Sequence, residues 1–198
     1  FNPSGQPRLG TGYMVLNTLI LLNSLGVVSM PIDELKKAIE ETKNLQEKIK
    51  LHAQEISKQL KDSICVIFAA EHLVGNTHIM RNQFNETSKS FSAFEDIPEL
   101  NHHLMEGLKN PTDKKLSILF IDSNLYSGKI KKRLDLTKDV VSKNGVPYLE
   151  YETVGSSELS QVFNLLSFGG YVTFYLAIIY GQDPSLIPWV DYFKEKLK

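Results

Sequence analysis

The sequence predicts an α/β domain: a three-layer α/β/α sandwich with a mainly parallel sheet, preceded by helices. Two short apolar runs, ICVIFAA at 64–70 and LSILFI at 116–121, are continuous rather than alternating. Strands buried on both faces have this pattern. Weaker strand candidates lie at 91–94 and 147–151, and helical stretches separate the four, near 76–89, 95–108, 129–144 and 157–181. Strands that alternate with helices argue for the layered architecture. A chain of 198 residues, 42% of them apolar, fits one domain or one and a half with a sizeable core.

Residues 1–10, with Pro3 and Pro7, read as an extended linker. Residues 13–25 are apolar nearly all round apart from Asn17 and Asn23, which predicts a buried helix ending at Gly26. Ser29 ahead of Pro31, Asp33 and Glu34 makes a helix start, with acids near the positive end of the dipole. From there Ile32, Leu35, Ile39, Thr42, Leu45, Ile49, Ala53, Ile56 and Leu60 recur every three or four residues. They form one narrow stripe on a single helix or on two abutting ones. Such an arm could support dimer contacts or lie across its own domain. The division that follows is a linker over 1–10, a helical segment over 11–62 and an α/β domain over 63–198.

The 24 residues of 159–182 carry no charge and are long enough to span a bilayer. Only 15 are apolar, and Asn164, Ser167, Gly169, Gly170 and Thr173 interrupt them, so a buried helix, or a pair broken near Gly169-Gly170, is expected and no membrane span. The last helix is placed from 183 to the end, with Trp189 and Phe193 facing inward.

With 22 basic and 23 acidic residues the net charge is −1, which gives no electrostatic reason to expect nucleic acid or an anionic membrane. The basic run 129–133 reads as a solvated helix start. Cys65, the single cysteine, excludes an internal disulfide and sits in an apolar run, as a buried structural thiol does. Residues 1–7 hold no basic segment leading into an apolar one, so no signal peptide is read and a cytoplasmic protein is expected. The first residue is Phe rather than Met, which suggests a piece of a longer protein.

Two polar stretches could carry chemistry, QFNETSK at 83–89 and PELNHH at 98–103. A carboxylate base and an imidazole on one α/β scaffold suit proton transfer near neutral pH. Glu86 stands at the end of a helix rich in polar residues, and ligands of open α/β sheets sit beyond the carboxyl ends of strands, often near helix termini. In a helix, Glu95, Glu99, His102 and Glu106 would share one face. A second set of ligands is missing, so no metal is expected. Gly75-Asn76-Thr77 and Asp122-Ser123-Asn124 read as plain turns, the first lacking the glycine spacing of a nucleotide signature.

Taken in order, several stretches resemble the C-terminal part of the bifunctional phosphoglucose/phosphomannose isomerases, members of the sugar isomerase (SIS) fold superfamily. They are Gln6-Pro7-Arg8, Gln83-x-Asn85-Glu86-x-x-Lys89, Pro98-Glu99-Leu100-Asn101-His102, Tyr171-Val172-x-x-Tyr175-Leu176-Ala177 with Gly181-x-Asp183-Pro184, and a terminal helix containing Lys194. The resemblance covers nearly the whole chain. It implies an SIS fold and interconversion of glucose 6-phosphate or mannose 6-phosphate with fructose 6-phosphate through a cis-enediol, with no cofactor. Glu86 matches the family's base and His102 the histidine that assists ring opening from the neighbouring subunit. Lys194 matches a lysine near the ring oxygen, and Arg8 an arginine near the enediol oxygens. Asn85, His103 and Ser185 are expected to contact substrate. The implied partners are a sugar 6-phosphate, a second copy in a homodimer, and an N-terminal SIS domain whose Ser/Thr-rich phosphate loop has no counterpart in this sequence. Where the family often has Asn after the motif histidine and Gly-Asp before Tyr-Val, this chain has His103 and Gly169-Gly170, so either histidine could act. A non-catalytic sugar-phosphate-binding or regulatory module of the same fold is the alternative.

Overall fold

The computed structural model describes residues 7–198. Four strands, β1 (Ile64–Ala70), β2 (Ser92–Ile97), β3 (Leu116–Ser123) and β4 (Tyr148–Thr153), pair in the order β2-β1-β3-β4, all parallel. The two continuous apolar runs become the central strands. Their buried side chains, among them Ile67, Phe68, Leu119 and Phe120, are the middle of the core. Phe68 and Phe120 meet edge to face with ring centroids 5.3 Å apart. Cys65 lies in the same layer, and burial pushes its thiol up, out of reach of the thiolate form.

Helices cover both faces, as a parallel sheet requires. One face carries α3 (Gln46–Gln59), α4 (Val74–Glu86) and α7 (Glu158–Ile179), with α2 (Ile32–Asn44) packed on α7. The other carries α6 (Gly128–Lys143), the 3-10 turn Glu99–His102 and the one-turn α5 (Leu104–Gly107). Chain direction across the sheet reverses between β1 and β3, with α4 and α6 on opposite faces, the pattern of right-handed crossovers. This is a three-layer α/β/α sandwich.

The apolar stripe after Pro31 divides at Leu45 into two abutting helices, and the arm lies across its own domain. Ile49, Ala53, Ile56 and Leu60 join the main core, while Leu35 and Ala38 pack with Phe163 of α7 in a smaller one.

Helix α7 runs unbroken through Gly169-Gly170, contrary to the expected break. The glycines serve close approach instead: a Cβ on Gly169 would stand 2.9 Å from Oε1 of Gln83 and 3.1 Å from Cγ of Met80, both on α4. Although α7 is long and apolar enough to cross a membrane, Phe168, Val172 and Leu176 are buried against its own fold. Just before it, Ser157 caps the helix by accepting from the Ser160 amide. A Cβ on Gly155 would come within 2.6 Å of Ser160 Cβ and 2.8 Å of the Gln161 backbone nitrogen. Gly155→Ala is therefore expected to destabilise the fold by about 1–3 kcal/mol, read from denaturant midpoints at constant m value.

Several elements depart from the sequence reading. The stretch 95–108 is no helix: Glu95 is in β2, Glu99 and His102 in the 3-10 turn and Glu106 in α5, so the proposed carboxylate–histidine face does not form. Gly75-Asn76-Thr77 is the first turn of α4 rather than a loop, and Asp122-Ser123 finishes β3. Residues 7–10 form a 3-10 turn rather than an extended linker, and residues 1–6 of that linker lie outside the described residues.

The two end helices differ most. In α1 (Thr11–Ser24) no residue is fully buried, because only Val15, Leu16 and Leu19 pack inward while Tyr13, Met14, Ile20 and Leu21 stay exposed. The final helix, α8 (Pro188–Lys196), starts later than expected and buries nothing: Trp189 is 81% exposed and Phe193 62%. Its apolar face has no counterpart within the described chain to close on.

Candidate active site

Helix α4 runs back from the carboxyl end of β1, so its last residue, Glu86, comes to the amino end of the sheet. The Asn85 side chain fixes this end by donating to the Ser92 carbonyl at the start of β2 (3.2 Å) and to the Arg81 carbonyl (2.8 Å). Glu86 therefore does not stand beyond the carboxyl ends of the strands, as the sequence pattern suggests. At that edge the chain itself closes the gap between β1 and β3, and a cavity of about 200 Å³ remains beyond β3 and β4, walled by Asp122, Asn124 and Glu152. The Glu71 carboxylate accepts from the Ser127 amide (3.2 Å) and hydroxyl (2.7 Å) at the head of α6. The Tyr126 hydroxyl accepts from the Ala70 amide (3.1 Å) in the gap between β1 and β3.

Glu86 opens onto a crevice of about 840 Å³ whose walls include Asn85, Lys89, Phe91, Asp183 and Trp189. Its side chain is 49% exposed, while that of Arg8, whose Nη1 lies 3.7 Å from Glu86 Oε2, is only 8% exposed. Distant parts of the sequence thus meet here. Arg8 Nη2 donates to the carbonyls of Pro184 and Ser185, both at 2.7 Å. Lys89 Nζ donates to the Asp183 carbonyl at 2.6 Å and to that of Thr87 at 3.2 Å. Burial holds the Lys89 ammonium below the usual lysine range, and the Arg8 charge acts the same way. Asp183 binds the Ser185 hydroxyl (2.6 Å) and amide (2.7 Å), which hold its carboxyl below its ordinary value.

Of the residues singled out from sequence, Asn85 and Glu86 line the crevice; Arg8, beside Glu86, and Ser185, bonded to Arg8, line a separate smaller cavity with Gln83 and Thr173. His102 and His103 are exposed on the opposite face of the sheet, where the neighbouring Asn101 bonds Thr137 of α6, and they do not line this crevice. Lys194 stands on the outer turns of α8 and does not line it either. Lys89, part of the motif but without a role in the sequence reading, is a cation that sequence reasoning misses. Its partner is 94 residues away, and no local pattern points to it.

In chemical terms, a half-open carboxylate beside a buried guanidinium can take up a proton and hold a developing negative oxygen. Both cations are bound mainly by neutral carbonyls, so neither charge is cancelled by a close carboxylate hydrogen bond.

Comparison with known proteins agrees with this architecture. Residues 49–197 match the family model described as the bacterial phospho-glucose isomerase C-terminal SIS domain. The bifunctional phosphoglucose/phosphomannose isomerase of Aquifex aeolicus is 31% identical over 99% of this chain and 60% of its own length. That of Caldicellulosiruptor bescii is 29% identical over 98% and 61%. The chain thus spans about three fifths of the length of the curated relatives it matches. Among solved structures, glucosamine-6-phosphate deaminase from Thermotoga maritima aligns over 89% of this chain and 53% of its own, with 14% identity and TM-score 0.62. A glucose-6-phosphate isomerase like protein from Thermus thermophilus aligns over 72% and 46%, with 18% identity and TM-score 0.55. At such identities the structures speak for the fold alone. By its matched sequence and its layered parallel sheet, the chain belongs to the family of bacterial phospho-glucose isomerase C-terminal SIS domains.

Proposed function

We propose that this chain is the C-terminal domain of an aldose–ketose isomerase that interconverts glucose 6-phosphate or mannose 6-phosphate with fructose 6-phosphate through a cis-enediol, without a cofactor. The observation that carries the reading is the placement of a buried Arg8 side chain 3.7 Å from Glu86, whose carboxylate opens onto the crevice. In this scheme Glu86 takes the proton from C2 and returns it to C1, and Arg8 stabilises the enediolate oxygen. One base that reaches the C2 proton in either configuration accounts for acceptance of both epimers. Asn85 and Ser185 border the substrate, and Lys194 approaches the ring oxygen once α8 is seated. Either His102 or His103 assists ring opening.

Within one chain the sheet separates those histidines from Glu86, so the scheme draws them from a second copy, and the working form is a homodimer. The phosphate is assigned to an upstream SIS domain, for which the greater length of the relatives leaves room. The open apolar faces of α1 and α8 are where this scheme seats the second copy and the upstream domain.

The test compares the 198-residue chain with the full-length gene product, using glucose, mannose and fructose 6-phosphates as substrates. The full-length protein should turn over at an ordinary enzyme rate, on the order of 1–10³ s⁻¹, and the chain alone far more slowly. Tight binding of 6-phosphosugars by the full-length protein without isomerisation would replace this reading with a binding or regulatory module of the same fold.

A further inference from the structure

Among the described residues, the turn that leads into α8 is held from outside by the side chains of two cations. Arg8 takes the carbonyls of Pro184 and Ser185, and Lys89 takes that of Asp183. Three consecutive carbonyls are thus held by two side chains from distant parts of the sequence. The same grip limits Arg8. With both Nη2 bonds spent on the turn, its Nη1 stays 3.7 Å from Glu86 Oε2, beyond hydrogen-bond length. Lys89 also sits in the left-handed region, at φ 54°. The backbone just past a helix end favours glycine in that conformation, so the lysine side chain must contribute something that outweighs the strain.

We propose that Lys89 is a positioning residue for the Glu86 site: with Arg8 it clamps the 183–185 turn, and the clamped turn fixes where the guanidinium stands beside the carboxylate. The proposal rests on the reading of Glu86 as the base. Loss of the ammonium frees Asp183, the turn loosens, and Arg8 follows its carbonyl partners out of register. Asn85, anchored to Ser92 and Arg81 away from the turn, keeps its place at the crevice, so the larger effect falls on the chemical step. Displacement of a catalytic pair by about 1 Å is enough to cost up to about 100-fold in rate.

The experiment uses the full-length protein with Lys89→Gly and Lys89→Arg. Glycine relieves the left-handed backbone, so Lys89→Gly should keep or raise Tm while kcat falls about 10- to 100-fold and KM stays within about threefold. The Ser185 amide, bonded to the Asp183 carboxylate, should exchange its hydrogen at least about tenfold faster as the turn opens. Lys89→Arg, which can still donate to Asp183, should keep kcat within about threefold. A kcat within about twofold of the parent in Lys89→Gly, or unchanged exchange at Ser185, overturns the clamp. If the parent itself shows no isomerase activity, the isomerase reading falls, and exchange at Ser185 alone decides the clamp.

Discussion

Glu86→Gln in the full-length protein is expected to lower kcat for fructose 6-phosphate formation by about 10³-fold, with KM held within about threefold. The amide has the carboxylate's shape but cannot accept a proton at neutral pH, so the interaction lost is one made only as the C2–H bond breaks. The fold should not notice. Glu86 is half exposed, its nearest cation is 3.7 Å away, and that guanidinium keeps both carbonyl partners when the carboxylate is lost, so the Tm should move little. Solvent tritium or deuterium incorporation into the product gives a second readout, because a base that carries the proton from C2 to C1 leaks some of it to water. Loss of less than about tenfold in kcat would remove Glu86 from the base role.

Much of the fold can be read from the sequence where burial and periodicity agree. The runs that form β1 and β3 lie between helices on both faces, so nearly every side chain is apolar and the run is continuous. The stripe from Ile32 to Leu60 is legible for the opposite reason: one face of α2 and α3 is wet, and the charge pattern outlines the dry one. Strand β2 is an edge strand, paired on one side only, with Glu95 and Asp96 half exposed. Its acids fall by chance at helical spacing with Glu99, His102 and Glu106, and the periodicity conceals a strand followed by two short turns. For α1 and α8 the sequence shows only that apolar surface exists, not what covers it. Trp189 and Phe193 read as inward-facing because a single chain has nowhere else to hide them, yet both stand in solvent.

The site is legible in a different way. Glu86 is singled out by resemblance, and the pattern of its own helix says only that the residue is polar and terminal. Arg8 is tied to the turn through the backbone carbonyls of 184 and 185, and Lys89 through that of 183. Side-chain patterns carry no trace of a carbonyl partner, which is why the sequence gives Lys89 no role. The resemblance draws one histidine, His102, from a neighbouring subunit; within one chain His102 and His103 are exposed on the face of the sheet opposite α4.

That separation yields the most demanding test of the proposed dimer. Glu86→Gln and His102→Ala proteins should each be nearly inactive alone, yet a mixture refolded or exchanged together should regain activity. If every site takes its carboxylate from one copy and its imidazole from the other, a mixed dimer holds one site with both groups intact and one with neither. Random pairing makes half the dimers mixed, and each contributes one working site of two, so about a quarter of the parent activity should return. If the two groups acted within one chain, every site in every dimer would lack one of them and mixing would restore nothing. Running His103→Ala through the same protocol identifies the working imidazole. The histidine whose loss is both severe and complemented by Glu86→Gln is the one that crosses the interface.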